Sequence, residues 1–387
     1  MCDVRERIFW ENRKNLQIYA KEFIRKDALK QNTKLPAIII SHGFGGNCDE
    51  LEYYCKSLVQ KEYAIYCFDF CGGSMGGKSQ GSTTEMTIQS ECEDLIQILH
   101  NIQSLSYIDA GRISLMGFSQ GGFISALTAA QMGDRIESLI LLFPAFCIPD
   151  HARLGILGGA SYDAQNVPDI IECPNGMKLS REFHEKVVDM DPFLEIRKYK
   201  GRTLLIHGMQ DDIVNYSYAV RAKECYEEEQ CRLMLIRDAG HGFTSQQDES
   251  AMIAIEHFLD KKEELLTIQI IITGYAVREE RNDYKESEVY FTGYCDNKLF
   301  KGCVMPEGID VQKKYGNDPE ILNAKYTLIG IDKDKNKCSI HIENQKNGTK
   351  FKPVIQTDSK ALAYLTKLDL TASLEGFPGG LTVRIFG

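Results

Sequence analysis

The chain carries, at residues 117–121, the stretch Gly117-Phe118-Ser119-Gln120-Gly121. The segment before it, 112–116, is an apolar-rich run typical of a buried strand, and the segment after it, 122–132, has the small and apolar residues of a packed helix. Ser119 is therefore predicted to lie at a strand-to-helix turn. Such a turn strains the serine backbone and exposes its hydroxyl, while the flanking glycines omit side chains that would collide. The pattern indicates a nucleophile; a serine in a tight loop is the alternative.

A serine nucleophile needs a base to take its proton and an acid to orient that base. Asp211 is predicted to lie on the loop after one strand, and His241 on the loop after the next. We therefore predict that Ser119, Asp211 and His241 are the catalytic residues, in that chain order. Asp212 is the alternative acid, but side-chain alternation lets only one of two adjacent carboxylates face the histidine.

A glycine-rich turn at 41–46 follows the first predicted central strand, and its glycines allow the backbone to turn toward the serine. A developing oxyanion needs two preorganised backbone N–H donors, which we assign to Phe44 and Gln120. A phosphate cradle is the alternative, but the turn lacks the Lys-Ser/Thr pair of a P-loop and the spacing of a dinucleotide fingerprint. His42 and His207 each precede a glycine at a strand end, and we expect both to be structural hydrogen-bonding residues.

Short β-prone runs alternate with helical patterns up to residue 265, which predicts an α/β domain with a mostly parallel sheet covered on both faces. A hairpin at 7–26 is predicted at the sheet edge. The interval 145–199 is rich in proline and glycine and is longer than one crossover helix needs, so we interpret it as a cap over the sheet. The predicted strands are 36–41, 63–70, 113–116, 136–143, 202–207 and 232–237, and the predicted helices are 87–102, 216–229 and 249–266.

The pattern changes to strands alone after residue 266, which predicts a small β barrel or sandwich. We divide the chain into an α/β domain at 1–265, with the cap insertion at 145–199, and an all-β barrel-like domain at 267–387. The residues at 332–343 match several positions of a calcium loop, but a hairpin turn is favoured because Lys337 replaces the required glycine. The strands predicted in this domain are 267–277, 288–294, 325–331, 338–343 and 381–386.

The composition is that of a globular protein of 387 residues, with 43% hydrophobic residues and a net charge of -10. The acidic balance, without a basic run, argues against nucleic acid and an anionic membrane surface as partners and favours a neutral or sugar-linked substrate. The 13 cysteines are scattered and lack a Cys-x-x-Cys pair, so neither zinc, another metal site nor a disulfide framework is expected. A charged N-terminus without an apolar leader segment predicts a cytoplasmic protein.

Residues 1–265 resemble bacterial cinnamoyl (feruloyl) esterases of the α/β-hydrolase fold. The resemblance implies a serine carboxylic ester hydrolase that cleaves feruloyl, caffeoyl and p-coumaroyl esters through an acyl-enzyme, without a cofactor. That family usually has a histidine before the nucleophile, where this chain has Phe118. The matching segments are the turn at 42–46, the elbow at 117–122, and 142–145, 166–169 and 207–211.

The same resemblance implies that the cap shapes a pocket for the aromatic acyl group. Asp150, His151, Tyr162 and His184 lie near the positions of the family's contacts to the ring hydroxyls, and we expect them to bind the small aromatic ester. The second domain resembles a family of small bacterial β-barrel proteins without assigned function, and we expect it to cover the pocket or to form a homodimer. The alternatives are an acyl-peptide or dipeptidyl-type hydrolase and a non-catalytic binding protein with a vestigial triad.

Overall fold

The computed structural model describes residues 3–30, 33–316, 318, 320–347 and 350–387. The chain forms two compact units, Met1–Thr244 and Ser245–Gly387, and each has its own hydrophobic core. The helix Ser245–Leu259 groups with the second unit, whereas the boundary drawn after residue 265 assigns it to the first. That boundary stays a prediction of domain organisation.

The first unit alternates strands and helices along its length. Its strands are β1 (Val4–Arg13), β2 (Leu16–Arg25), β3 (Leu35–Ser41), β4 (Ala64–Phe68), β5 (Ile108–Phe118), β6 (Ser138–Leu142), β7 (Ile156–Leu157), β8 (Ala160–Ser161), β9 (Ile170–Glu172), β10 (Lys178–Ser180), β11 (Arg202–Gly208) and β12 (Cys231–Ile236). Its helices are α1 (Glu52–Leu58), α2 (Ile88–Gln103), α3 (Ser119–Met132), α4 (Ile148–Arg153), α5 (Arg181–Val187), α6 (Pro192–Ile196) and α7 (Ser217–Glu224).

Eight of these strands form one sheet in the order β1-β2-β4-β3-β5-β6-β11-β12. Within this order, neighbouring strands in the run β4-β3-β5-β6-β11-β12 pair in parallel. The antiparallel hairpin β1–β2 lies at the edge, next to β4. Every residue of β3 and β6 is buried, as expected for parallel strands covered on both faces. The predicted sheet and its edge hairpin are therefore confirmed. Helix α7 ends before the predicted residue 229, where three glutamates at 227–229 would oppose the negative end of the helix dipole.

The turn from β5 into α3 places Ser119 at the first position of the helix, with a φ of 51°. A Cβ atom on Gly121 would lie 2.2 Å from the carbonyl oxygen of His42, and one on Gly117 would lie 2.3 Å from the carbonyl oxygen of Gly121. Backbone atoms approach too closely here for any side chain. The predicted strained turn and the need for both glycines are confirmed.

A buried carboxyl group lies beneath this turn. Glu91 of α2 is 1% exposed, and its Oε2 accepts a 2.7 Å hydrogen bond from Nε2 of Gln120. Burial raises the pKa of Glu91 to about 8, although the hydrogen bond from Gln120 acts in the opposite direction. The carboxyl is therefore largely protonated at neutral pH, and α2 supports the start of α3 without burying a charge.

The interval between β6 and β11 contains several short elements, α4 to α6 and two small hairpins, instead of one crossover helix. It packs on the turn that follows β3. A Cβ atom on Gly158 would lie 2.8 Å from the Phe44 ring, and one on Gly45 would lie 2.8 Å from Nδ2 of Asn175. The predicted insertion is thus confirmed and covers the glycine-rich turn.

The second unit begins with α8 (Ser245–Leu259) and continues as antiparallel strands that form a barrel-like ring, because the last strand pairs with the first. Among the described residues, the strand register of β18 and β19 consists of one pair, Phe351 with Ala372. The strands are β13 (Glu264–Arg281), β14 (Tyr284–Asp296), β15 (Phe300–Tyr315), β16 (Ile321–Asp332), β17 (Lys337–Asn347), β18 (Lys350–Thr357), β19 (Thr371–Phe377) and β20 (Gly380–Phe386).

Two predictions for this unit were wrong. The helix predicted to continue to residue 266 ends at Leu259, because Leu266 is buried in the barrel core and pairs with Ile385 on β20. Strands β15, β18 and β19 were missed. Pro306 and Gly308 interrupt the β pattern of β15 where its register shifts, and Pro353 does so in β18. The hairpin predicted in place of a calcium loop is present, since Asp332 accepts hydrogen bonds from the backbone of its own turn.

None of the helices in the described ranges is long and apolar enough to cross a membrane.

We expect Gly121→Ala to destabilise the protein by about 1–3 kcal/mol or more, because the added Cβ collides with backbone atoms of Ser41 and His42 that no rotamer change can move. Urea denaturation measures the effect. The control is Gly111→Ala on β5, where the nearest atom to an added Cβ is 3.6 Å away. Equal stability of the Gly121→Ala variant and wild type would contradict the packing described above.

We expect the stability contributed by Glu91 to be fully present below its usual pKa of 4.5 and to be lost as the pH rises through about 8, because the folded state must then ionise a buried carboxyl. Glu91→Gln should therefore lose less stability than wild type between pH 5 and pH 8 in urea denaturation. Glu93→Gln is the control, since Glu93 is ion-paired with Lys14 at the surface of the same helix. An unchanged pH dependence in Glu91→Gln would show that Glu91 is not a neutral buried acid.

Candidate active site

The three predicted catalytic side chains meet at the carboxyl ends of β5, β11 and β12. Nε2 of His241 lies 2.9 Å from Oγ of Ser119, and Nδ1 of His241 lies 2.8 Å from Oδ2 of Asp211. An ionised carboxylate can only accept hydrogen bonds, so opposite Asp211 the Nδ1 atom of His241 carries the proton, and Nε2 of His241 is free to accept from the serine hydroxyl. The structure therefore brings together Ser119, His241 and Asp211 in one hydrogen-bonded chain.

Asp211 is held as a carboxylate by donors on every side. Its Oδ1 accepts from the backbone N–H groups of Ile213 and Val214, and its Oδ2 lies 3.2 Å from Nε2 of His207. Burial opposes ionisation, but the hydrogen bonds from His207 and His241 outweigh it and hold the pKa of Asp211 well below its usual range. Asp212 points into solvent, so the choice of Asp211 over its neighbour agrees with the geometry.

His207 has a second role besides the structural hydrogen bonding that the sequence predicted, because it also contacts the acid. It is fully buried, and Nε2 also donates to the carbonyl oxygen of Val214 at 2.8 Å. Its buried Nδ1 has no hydrogen-bond partner among the described residues, which fits a neutral ring protonated on Nε2, since a buried N–H without an acceptor is costly. His207 is structural as predicted, and it also donates to the acid. The signal that could have shown this is the spacing of His207 and Asp211 on one strand end.

The turn at 42–46 lies against the serine. A Cβ atom on Gly43 would be 3.8 Å from Oγ of Ser119. His42 fixes the turn, since Nδ1 donates to the carbonyl oxygen of Gly43 and Nε2 accepts from the N–H of Phe70. Burial lowers the pKa of His42, which keeps the ring neutral. The second proposed donor, Gln120, lies in the first turn of α3, where N–H groups have no intrahelical acceptor.

An aromatic cluster supports the imidazole of His241. Phe143 packs edge-on against His241 with ring centroids 4.9 Å apart, and Phe118 packs against both Phe143 and Tyr54. Phe118 therefore belongs to an apolar layer, in the position where the esterase family usually has histidine. Phe143 has a φ of 39°, which is strained for an aromatic residue, and its N–H donates to the carbonyl oxygen of Ile206. Sequence reasoning gave Phe143 no role, because nothing local marks its contact with His241.

Three of the four residues expected to contact the substrate, Asp150, Tyr162 and His184, form hydrogen-bonded side-chain pairs. Oδ2 of Asp150 accepts from the hydroxyl of Tyr218 at 2.8 Å, and the hydroxyl of Tyr162 lies 2.7 Å from Nδ1 of His184. Burial raises the pKa of Tyr162 to about 12 and lowers the pKa of His184 and His151. Their contact with a substrate stays a prediction, and Tyr218 is a cap partner that sequence reasoning missed.

The cap begins in contact with the nucleophile, since the N–H of Ala145 donates to the carbonyl oxygen of Ser119 at 2.9 Å. Within the described ranges, no group of three or more His, Cys, Asp and Glu side chains is arranged to hold a metal ion.

Residues 33–164 match the family model described as "Serine aminopeptidase, S33". The chain is also similar to rat (Rattus norvegicus) monoglyceride lipase, with 29% identity over 108 residues, which are 28% of this chain and 34% of the relative. A Mycoplasma pneumoniae protein classed by name with esterases and lipases is 27% identical over 117 residues, 30% of this chain and 41% of that protein. The matched segment thus spans less than half the length of these curated relatives.

A solved structure of Est1E from Butyrivibrio proteoclasticus with ferulic acid bound covers 65% of this chain and 98% of its own. The two share 26% sequence identity, with a TM-score of 0.60. Together with the sheet order and the serine turn, these similarities confirm the predicted fold class. The first unit of the chain has the α/β-hydrolase fold, and an all-β domain follows it.

Proposed function

We propose that the chain is a serine carboxylic ester hydrolase that cleaves hydroxycinnamate-type aromatic esters through an acyl-enzyme. The observation that carries the proposal is the hydrogen-bonded chain from Ser119 through His241 to Asp211. A hydroxyl, a neutral imidazole and a buried carboxylate in this order are the elements of a general-base-activated nucleophile.

In the acylation step, Oγ of Ser119 attacks the ester carbonyl carbon while Nε2 of His241 takes the hydroxyl proton. The imidazolium that forms is stabilised by Asp211, which is already a carboxylate because its pKa is depressed. The negative charge on the carbonyl oxygen is stabilised by the N–H groups of Phe44 and Gln120. The C–O bond then breaks, and His241 returns the proton to the departing alcohol.

Deacylation repeats the sequence with water in place of the serine. Nε2 of His241 accepts a proton from water, the hydroxide oxygen attacks the acyl carbon, and Oγ of Ser119 leaves with the proton from His241. The neutral His207 and His42 hold the acid and the oxyanion turn in position without entering the proton transfer, which keeps His241 as the base.

The choice of aromatic esters is supported by the similarity to Est1E, whose solved structure holds ferulic acid. It is also supported by the cap, which packs on the Phe44 ring and presents hydroxyl, imidazole and carboxylate groups. In our proposal, a ring hydroxyl of the acyl group forms a new hydrogen bond with one member of a pair, Asp150 with Tyr218 or Tyr162 with His184. That new bond replaces a hydrogen bond within the pair.

A second candidate follows from the family model, whose description names an aminopeptidase. The same three side chains would hydrolyse an aminoacyl amide through an acyl-enzyme. Substrate preference therefore separates the two candidates, while loss of the serine would affect both.

We expect Ser119→Ala to lower kcat for methyl ferulate by about a million-fold, because a serine–histidine unit loses nearly all its catalysis when the nucleophile is removed. The control is Ser125→Ala, a buried serine on the same helix, which should retain activity. Labelling by a fluorophosphonate probe should be lost only in Ser119→Ala. Near-full hydrolysis by Ser119→Ala would exclude the proposed mechanism, and an unlabelled wild type would favour a vestigial triad.

We expect kcat/KM for methyl ferulate, methyl caffeate and chlorogenate to exceed that for short acyl esters and monoacylglycerols by about tenfold or more, because an aromatic acyl pocket stabilises the transition state of the matching substrate. Aminoacyl p-nitroanilides complete the panel. Higher kcat/KM on the anilides would favour the aminopeptidase candidate, and equal values across all esters would contradict an aromatic acyl pocket.

A further inference from the structure

The barrel-like domain contains a partly open cavity of about 130 Å³. Its walls are mostly apolar and include Ile270, Phe291, Leu374 and Val383. Protein interiors are close-packed, and voids larger than a water molecule are few. A cavity of this size inside so small a domain is therefore a feature of the barrel and not a packing gap.

The register of three neighbouring strands creates this space. Asp310 on β15 pairs with Ala324 on β16, and Ala324 pairs with Asn344 on β17. All three line the cavity, as does Tyr326, which lies two residues along β16 on the same face. Asp310, Ala324 and Asn344 thus form a row across the three strands. The small side chain of Ala324 lies between the two polar side chains, so this row leaves space at its centre.

One polar atom on each of Asp310, Tyr326 and Asn344 lacks a hydrogen-bond partner among the described residues. The hydroxyl of Tyr326 and Oδ1 of Asn344 are buried and have no hydrogen-bond partner among the described residues, and Oδ1 of Asp310 is in the same state. Tyr326 is 3% exposed and Asn344 is 4% exposed. The other carboxylate oxygen of Asp310 accepts from Nε2 of Gln312 at 2.8 Å. Buried polar groups are nearly always satisfied in native proteins, so these three atoms point to a bound molecule.

We propose that this cavity binds one small, uncharged ring compound that donates a hydroxyl proton, of the class of a simple phenol. A cavity of roughly 150 Å³ is known to hold benzene, so the size suits one ring. Oδ1 of Asn344 can only accept, and the Tyr326 hydroxyl and the Asp310 carboxyl can both accept, so a hydroxyl donor on the ligand suits this lining. The ring packs on the Phe291 side of the wall.

The charge of the lining selects against anions. Among the described residues, no Lys, Arg or His lines the cavity, and Asp310 is an acid. A carboxylate ligand would be buried beside Asp310 without a cation, which is strongly unfavourable. The cavity is therefore suited to a neutral phenol and not to a free aromatic acid, and this function is separate from ester hydrolysis in the first unit.

The test is a ligand-observed NMR titration of the full chain with phenol, with toluene and benzoate as matched compounds that lack the hydroxyl or add a charge. We expect phenol to bind most tightly. Tyr326→Phe and Asn344→Leu should each weaken phenol binding by about two- to twelve-fold, the effect of one hydrogen bond. Tyr294→Phe is the control, since Tyr294 is an exposed tyrosine of β14.

The proposal would be overturned if phenol bound equally to wild type and all variants. It would also be overturned if phenol did not bind to wild type, which would mean that the cavity holds only water. If Asn344→Leu does not fold, Tyr326→Phe decides the question by itself. Without ligand, its Tm should equal or exceed that of wild type, because it removes a buried hydroxyl without a partner; a lower Tm would overturn the proposal. Hydrolysis of methyl ferulate by Tyr326→Phe should be unchanged, so failure here is distinguishable from failure of the proposed esterase activity.

Discussion

The close approach of two backbones at Gly121 is the contact on which the rest of the active site depends. The first turn of α3 lies against the carbonyl groups of Ser41 and His42 at a distance that no side chain allows. The α3 side of this contact carries Ser119 and the N–H of Gln120. On the other side, the chain continues from Ser41 and His42 into the turn that carries Phe44. The nucleophile and both predicted oxyanion donors are thus fixed relative to each other by backbone packing, without relying on flexible side chains.

Hydrogen-bond donors then decide the charge state of two buried acids near this contact. Asp211 and Glu91 are both buried acids, yet the pKa of Asp211 is depressed and that of Glu91 is raised. The difference lies in the donors, because Asp211 receives hydrogen bonds from two histidines and two backbone N–H groups, whereas Glu91 receives its side-chain hydrogen bond from Gln120. The site therefore holds one buried carboxylate where a charge is useful and a neutral acid where only support is needed.

The second unit has a different internal organisation. One part of its interior is filled by apolar side chains such as Leu328 and Ile340, while another part keeps polar atoms around an open space. A barrel that needed only stability would fill both, because buried polar atoms without partners destabilise a fold. This contrast is the physical reason to look for a ligand in a domain where sequence motifs suggested none.

The amino-acid sequence by itself determined the alternation of strands and helices, the serine turn with its two glycines, and the chain order of serine, acid and base. These features are local, since each depends on the periodicity or backbone freedom of a few consecutive residues. Prediction from the sequence was wrong at the start of β13, and it missed the proline-containing strands of the barrel. In both places burial against distant strands overrides local preference.

Only the tertiary structure decided which side chains meet across large separations in the chain. It paired Asp150 with Tyr218 and Tyr162 with His184, and it packed Phe143 on His241. It also placed Ala324 between two polar neighbours. The neighbours of Ala324 depend on strand register, because a shift of one residue would turn its side chain to the opposite face. The other contacts depend on how helices and loops pack together, so no local pattern encodes them.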